Sequence, residues 1–310
     1  MTRPDRALRQ GLNRRAGQIA SLRAFLGERG VIEVHTPLIT ASGITEVHID
    51  SLRLADGRFL RTSPEYHHKQ LLADGAGDLF ELGPVFRAGE HGPLHREQFL
   101  MLEWYRLGWS WRELAAEVVE LITALVGARP LRWLAWRELA VQALGFDPLT
   151  EPQALARILD PAPPGLDPGQ QLDWLFSLRM QPTLVGRQTV IVHDFPACQA
   201  ALAKIRPGPP DLAERFEVFV DGVELANGYQ ELTDPIEQRR RFEADNARRE
   251  QLELSPMPID DALLAALERG LPECAGVALG VDRLLMLADG RTRLDEIGAE
   301  PGRSEQAGSP

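Results

Sequence analysis

The clearest hydrophobic pattern lies near the start of the chain and has a helical period. Over residues 5–29, apolar side chains recur three or four positions apart, which is typical of one helix face. The residues that set this spacing are Leu8, Leu12, Ile19, Leu22 and Leu26. Gly30 is a good helix stop, and residues 31–37 then read as a short strand ended by Pro37.

Alternating apolar and polar positions predict a sheet in the rest of the chain. Residues 78–87 and 98–105 read as two strands joined by a short charged loop. Residues 215–232 read as a hairpin that turns at Asp221-Gly222, a dipeptide that favours tight turns.

Helical segments separate these strands. Ser110 and Glu113 form a capping-box sequence at the start of one helix, and residues 233–252 read as a charged helix. Residues 107–186 are interpreted as a helical insertion and not as a separate domain. We therefore expect an α+β fold in a single domain over residues 1–297, with a polar, disordered tail at 298–310.

Composition excludes several classes of protein. The net charge of −11 argues against a broad basic surface for DNA or RNA. Cys198 and Cys274 are far apart, so a disulfide framework or a zinc site is not expected. The charged N-terminus lacks a secretory pattern, and no apolar stretch is long enough for a membrane span. We expect a cytoplasmic protein without a membrane or DNA partner.

The charged loop between the two central strands is a candidate nucleotide site. Arg87 stands at the loop base and can bind phosphate, while Phe99 on the returning strand can stack on a base. The alternative is an ordinary hairpin with a solvated charged tip, and this stretch alone favours neither interpretation.

Two carboxylates in the second hairpin are candidate metal ligands. Glu224 and Glu231 are seven residues apart, so a regular strand would point them to opposite faces. A bulge at Asn227-Gly228 would let both face one Mg²⁺, which accepts one or two protein carboxylates beside phosphate oxygens. The alternative is a pair of solvated carboxylates.

The third feature is Gly280 followed by Arg283. A glycine admits close approach of a ligand, and a helix start with an arginine favours an anion. The chain has neither a P-loop nor a Gly-rich dinucleotide motif. Taken together, the three features predict a site for ATP and Mg²⁺ on an antiparallel sheet.

The chain resembles the catalytic domain of class II aminoacyl-tRNA synthetases, in the lysyl branch. The segments that carry the resemblance are TSPEYHHKQLL (62–72), MLEWYR (101–106), AERFEVFVDGVELANGYQEL (213–232) and GVALGVDRL (276–284). The resemblance implies a six-to-seven-stranded antiparallel sheet flanked by helices, over residues 1–297, and a homodimer formed through the region of Pro37.

The resemblance also implies roles for individual residues. Arg87 and Arg283 would be catalytic, holding the α-phosphate and the terminal phosphates of ATP, and Glu224 and Glu231 would bind Mg²⁺. The nucleotide would be bound by Arg87, Ala88, Gly89, Glu90, His95, Arg96, Phe99, Glu224, Leu225, Gly280 and Arg283. The amino acid would be bound by Ser63, Pro64, Glu65, Glu103, Tyr105 and Glu231.

More narrowly, the chain looks like the stand-alone lysyl-tRNA synthetase paralogues that attach β-lysine or lysine to elongation factor P. The predicted first helix begins almost at residue 1, so an anticodon-binding domain and a tRNA partner are not expected. Ser63 and Ala278 are typical of the paralogues. The loop reads HREQF, with Arg96, where the family usually has HNPEF. A truncated amino-acid ligase with another acceptor and a catalytically weakened regulatory paralogue stay open as alternatives.

Overall fold

A computed structural model describes residues 6–159 and 166–297. The predicted disordered tail and part of the proline-rich stretch lie outside the described residues. The helices are α1 (Arg6–Gly27), α2 (Glu65–Ala73), α3 (Trp111–Val126), α4 (Trp136–Leu144), α5 (Pro152–Ile158), α6 (Pro168–Leu175), α7 (Pro235–Gln251), α8 (Asp261–Gly270) and α9 (Val281–Ala288).

The strands follow the predicted patterns in most places. They are β1 (Ile32–Glu33), β2 (Ile39–Thr40), β3 (Phe59–Leu60), β4 (Leu79–Phe86), β5 (Gln98–Leu107), β6 (Leu131–Ala135), β7 (Thr189–Pro196), β8 (Ile205–Arg206), β9 (Leu212–Val220), β10 (Val223–Gln230) and β11 (Cys274–Gly280). β2 and β3 form a small separate sheet. Asp221 and Gly222 have positive φ angles of 53° and 86°, so the predicted tight turn between β9 and β10 is confirmed.

Among the described residues, the main sheet has nine strands in the order β1-β4-β5-β11-β10-β9-β7-β6, with β8 paired to β9. Its inner part, from β4 to β7, is antiparallel throughout. The two outer pairs, β1 with β4 and β6 with β7, are parallel. The predicted α+β fold, with a sheet flanked by helices, is confirmed, but the sheet is mixed at its edges and not purely antiparallel with six to seven strands. Parallel pairs need long crossover connections, which the alternation along a single strand does not reveal.

The segment predicted to be purely helical also contains a strand. Residues 107–186 include α3 to α6, but β6 lies between α3 and α4 and joins the main sheet. Only Leu134 of its five residues is buried, so the strand has no strong apolar pattern. The buried face of α3 packs with α1, α9 and the inner strands in one core cluster. The assignment of residues 1–297 to one domain stays a prediction.

The helix that carries the predicted site residue Glu65, α2, is fixed by buried contacts. Leu72 packs with Leu264 and Leu267 of α8, and Phe242 of α7 joins the same cluster. Burying one leucine contributes about 1.5–3 kcal/mol, so α2 is held firmly against the sheet. Within residues 6–159 and 166–297, no helix is both long and apolar enough to cross a bilayer.

Candidate active site

One cleft of about 960 Å³ lies over the central strands. All the predicted site residues line it except Pro64, Ala88 and Gly89. Pro64 precedes the first turn of α2. The backbone N–H of Ala88 donates to the carbonyl of Asp50, and that of Gly89 donates to the side chain of Glu97. The geometry of the cleft does not bring these three residues to its wall.

The floor of the cleft follows from strand periodicity. Successive side chains of a strand alternate between its faces, so one face of β5 presents Phe99, Met101, Glu103 and Tyr105. On the neighbouring strand β11, the residues opposite the last three are Gly280, Ala278 and Gly276. Large side chains on β5 beside small ones on β11 leave room for a ligand.

Gly276 is required by its neighbours. A Cβ atom at this position would lie 2.3 Å from Oε1 of Glu231 and 2.4 Å from Cε1 of Tyr105. Both distances are far below van der Waals contact, so any larger residue would displace these two side chains. The glycine thus lets a carboxylate and a tyrosine approach the same part of the floor.

A β-bulge in β10 orients Glu224. Glu224 pairs with Phe219 and Ala226 pairs with Val218, so Leu225 is the extra residue. One extra residue turns the odd spacing between Glu224 and Glu231 into an even one, and both side chains line the cleft. The bulge exists, but its predicted position was wrong.

The predicted bulge site, Asn227-Gly228, pairs regularly with Ala278 and Val277. Gly228 serves packing instead, because a Cβ atom there would lie 2.5 Å from the ring of Phe216. A glycine is therefore needed at position 228, but it is needed for close packing between strands and not for a bulge.

At one end of the cleft, two arginines are placed to bind an anion. The guanidinium of Arg87 lies 5.3 Å from the ring centre of Phe99 and 3.7 Å from Oε1 of Glu90. Nε of Arg87 is buried without a hydrogen-bond partner in the described part of the chain. A buried donor without a partner is costly, so this atom favours a ligand that accepts a hydrogen bond.

Arg283 lies in the first turn of α9 and joins the loop to the sheet. Its Nε donates to the carbonyl of Leu94 at 3.0 Å, and its Nη1 donates to the carbonyl of Glu224 at 3.1 Å. The same Nη1 is 3.6 Å from Oε2 of Glu224. Partial burial, together with the positive charge of Arg283, lowers the pKa of His95, which also lines this end.

Arg96 lies on the wall of the cleft and faces the C-terminal segment. One of its Nη atoms donates to the carbonyl of Leu294 at 2.6 Å. This contact fixes the loop at residues 93–97 against the turn Leu294–Glu296. The residue that departs from the family pattern therefore has a structural contact of its own.

At the other end, carboxylates converge on one lysine. Nζ of Lys69 is 2.7 Å from Oε1 of Glu65 and 2.7 Å from Oε2 of Glu231. Lys69 and Glu231 are almost fully buried. Burial raises the pKa of Glu231 to about 8, and the nearby Glu65 and Glu103 add to this effect against the opposing charge of Lys69.

A second set of bonds orients Glu103. Its Oε2 accepts a hydrogen bond of 2.7 Å from Ser63, and its Oε1 accepts one of 2.9 Å from the hydroxyl of Tyr105. The Ser63 hydroxyl also accepts the backbone N–H of Glu65, so one serine connects the start of α2 with β5. Nδ1 of His68 lies 3.4 Å from Oε1 of the same carboxylate.

Sequence analysis missed the supporting residues Arg61, His68, Lys69 and Glu81. Glu81 is buried and bonds Arg61 at 2.8 Å, His68 at 3.2 Å and the hydroxyl of Thr36 at 2.7 Å. Burial would raise its pKa, but these bonds outweigh burial and lower it to about 2. The one available signal was the run of titratable residues at 65–69, at the start of the predicted helix.

The charges of the floor suit a ligand with two ammonium groups. When ionised, Glu65, Glu103 and Glu231 carry three negative charges, and Lys69 is the lysine of the described chain that contacts Glu65 and Glu231 directly. Arg61 is occupied by Glu81, and His68 is shared between Glu81 and Glu103. A diamino acid would supply the missing positive charge beside an end of the cleft that binds anions.

The carboxylates differ in their fit to Mg²⁺. Glu224 is 38% exposed, lies at the anion-binding end and can join a metal that phosphates also bind. Glu231 is 1% exposed and its Oε2 is held by Lys69, so its predicted role as a metal ligand stays a prediction. No group of three or more metal-binding side chains occurs among the described residues.

Comparison with known proteins agrees with this geometry. The profile of the tRNA synthetases class II (D, K and N) matches residues 4–302. An elongation factor P–(R)-β-lysine ligase of Vibrio vulnificus is 42% identical over 96% of this chain and 97% of its own length. Proteins of the same name from Vibrio cholerae and Histophilus somni are each 42% identical, over 94% and 93% of this chain. Since the profile covers nearly the whole sequence, the chain belongs to the class II tRNA synthetase family of the D, K and N type.

Proposed function

We propose that the protein activates (R)-β-lysine, or lysine, with ATP and transfers the acyl group to a lysine side chain of elongation factor P. The observation that carries this proposal is the cleft itself, with a carboxylate-rich end beside an arginine-lined end. A diamino acid and a nucleotide fit these two ends by charge. The relatives named as elongation factor P–(R)-β-lysine ligases support the choice of amino acid and acceptor.

In the first step, the carboxylate of the amino acid attacks the α-phosphorus of ATP and pyrophosphate leaves. Arg87 stabilises the charge that develops on the α-phosphate, and Arg283 holds the terminal phosphates. Phe99 stacks on adenine. A Mg²⁺ held by Glu224 would neutralise phosphate charge. These residues act by orientation and electrostatics more than by proton transfer.

At the other end, Glu65, Glu103 and Glu231 hold the two ammonium groups of the amino acid. Ser63 and Ala278 lie on the same wall and differ from the residues that are usual in lysyl-tRNA synthetases. A methyl group and a hydroxyl are changes of the size that discriminates related substrates, worth about 1–3 kcal/mol. We assign the preference for a β-amino over an α-amino group to these two positions.

We further propose a homodimer, a cytoplasmic location and no tRNA or DNA partner. Support for the dimer comes from Ile32, Leu38 and Ile39, which are large apolar residues in one stretch and are all exposed. The net charge of −11 argues against a tRNA or DNA partner. The acceptor named for the relatives is a translation factor, which supports a cytoplasmic location.

Exchange of label between pyrophosphate and ATP tests the activation step, because it needs no acceptor. We expect exchange with (R)-β-lysine, weaker exchange with lysine and none without an amino acid. Transfer of labelled β-lysine to purified elongation factor P tests the second step. Absence of exchange with every amino acid would refute the activity, and exchange without transfer would point to another acceptor.

A further inference from the structure

The cleft has a third wall that neither the nucleotide nor the amino acid accounts for. It is formed by α6 and the turn at residues 197–199, and Asp173, Cys198 and Gln199 line it. Asp173 is exposed to the cleft, and no cationic side chain of the described chain lies within salt-bridge distance of it. Its one hydrogen-bond partner there is Gln199, whose Nε2 donates to Oδ1 at 2.5 Å.

Gln199 supplies the second acceptor of this wall. The residue is 7% exposed, and its Oε1 has no hydrogen-bond partner in the described part of the chain. The orientation of the amide is fixed, because a carboxylate accepts hydrogen bonds and must face the NH₂ group. A buried carbonyl oxygen without a donor is costly, so Oε1 favours a ligand that donates.

The wall is connected to the floor of the cleft through Arg215. Nη1 of Arg215 donates to the carbonyl of Gln199 at 2.7 Å, and its Nε donates to Oδ1 of Asn227 at 3.2 Å. Asn227 pairs with Ala278 on the floor. Arg215 forms its salt bridge with Glu217, whose Oε1 lies 2.6 Å from Nη2, and acts on Asp173 only from beyond salt-bridge distance.

We infer that Asp173 and Gln199 form the subsite for the primary ammonium group of the acceptor lysine, an inference that rests on the proposed function. Two oxygen acceptors, one of them an unpaired carboxylate, match an ammonium donor. A metal ion fits less well, since the described residues offer no group of three metal-binding side chains here. The acceptor side chain would thus enter the cleft past α6.

Activation and transfer can be measured separately, so the subsite can be tested apart from activation. In Asp173→Asn, Oδ1 can still accept from Gln199, so the fold is kept while the negative charge is lost. We expect unchanged pyrophosphate exchange with (R)-β-lysine and unchanged trapping of the adenylate by hydroxylamine. The KM for elongation factor P should rise about 10- to 100-fold, the effect of losing a hydrogen bond to a charged group. Gln199→Leu should raise the same KM by a smaller factor.

The matched control is Asp261→Asn, at a carboxylate 82% exposed on α8 and away from the cleft. It should leave every rate unchanged. An unchanged KM for elongation factor P in Asp173→Asn would overturn the assignment, as would an equal loss of exchange and transfer, which would indicate a purely structural role. Absence of exchange in the unmodified protein would instead refute the proposed function, so the two failures are distinguishable.

Discussion

At the scale of single residues, the site depends on charged groups whose neighbours decide their protonation and their availability to a ligand. Arg87 is the clearest example, because it is held by Phe99 and Glu90 while one of its donors faces no protein acceptor. Its contacts within the fold are weak ones, at 5.3 Å and 3.7 Å. The residue therefore contributes little to stability and is available to a ligand.

Replacing Arg87 by alanine should abolish activation while keeping the fold. We expect pyrophosphate exchange to fall by about 10²- to 10³-fold, as for loss of one preorganised donor to a developing charge. The free energy of unfolding should change by less than about 1 kcal/mol, because partly exposed ion pairs contribute little. Arg293→Ala, an arginine on an exposed pair, is the control for both measurements. Retained exchange in Arg87→Ala would refute the assigned role.

The pKa of Glu231 predicts how amino-acid binding depends on pH. Burial raises it to about 8, so the free site holds a proton that a cationic ligand must displace. The KM for the amino acid should therefore fall as pH rises from about 6 to 8, by at most about tenfold per pH unit, and level off above this pKa. The profile is measured by pyrophosphate exchange, with the KM for ATP as the internal control. A KM for the amino acid that does not change with pH would contradict a protonated Glu231 in the free site.

At the scale of elements, Glu81 connects α2, β4 and the segments around Thr36 and Arg61. Replacing it by glutamine would leave Arg61 without its anion, while His68 would keep its contact with Glu103. Breaking a buried pair in this way costs about 3–5 kcal/mol, to be measured by denaturant unfolding at neutral pH. Glu33→Gln removes a partly exposed pair with Arg23 and should cost less than about 1 kcal/mol.

The same residue predicts a dependence of stability on acid. A carboxyl group whose pKa is lowered on folding stabilises the protein above its unfolded value of 4.5 and loses this contribution as pH falls to about 2. We expect the unmodified protein to lose stability over that range and Glu81→Gln to lose less. Equal slopes for the two proteins would contradict the assignment of the pKa shift to Glu81.

Local patterns predicted most elements, and the failures have physical reasons. The β9–β10 turn and the α3 capping box were predictable because each depends on neighbouring residues alone. The strand β6 was missed because five residues with one buried side chain carry no alternation. The bulge at Leu225 was misplaced because register depends on the partner strand.

The site was predictable to a similar degree. Motifs identified residues that line the cleft, with Pro64, Ala88 and Gly89 as the exceptions. The sequence did not reveal that Lys69 lies between Glu65 and Glu231, since a lysine at this spacing from Glu65 reads as an ordinary surface pair on a helix. Whether Lys69 is a surface residue or a buried one depends on how α2 packs against α8 and the sheet.

At the scale of the whole molecule, the edge of the main sheet at β1 is the feature that favours association. This strand has two residues and pairs only with β4 among the described strands, so it leaves one edge open. Open edges and exposed apolar residues favour association. Ile32 is 56% exposed and Ile39 is 41% exposed, which is unusual for two large apolar residues in one short stretch.

We therefore predict a dimer that a single charge in this stretch disrupts. The unmodified protein should sediment as a dimer, and Ile39→Glu should sediment as a monomer, because a buried unpaired carboxylate strongly disfavours an apolar interface. Val185→Glu is the control, since Val185 is 68% exposed but lies far along the chain, between α6 and β7. A dimer that survives Ile39→Glu would place the interface elsewhere. The cleft is lined by residues of a single chain, so we expect the monomer to keep pyrophosphate exchange. That result would show that one chain suffices for activation.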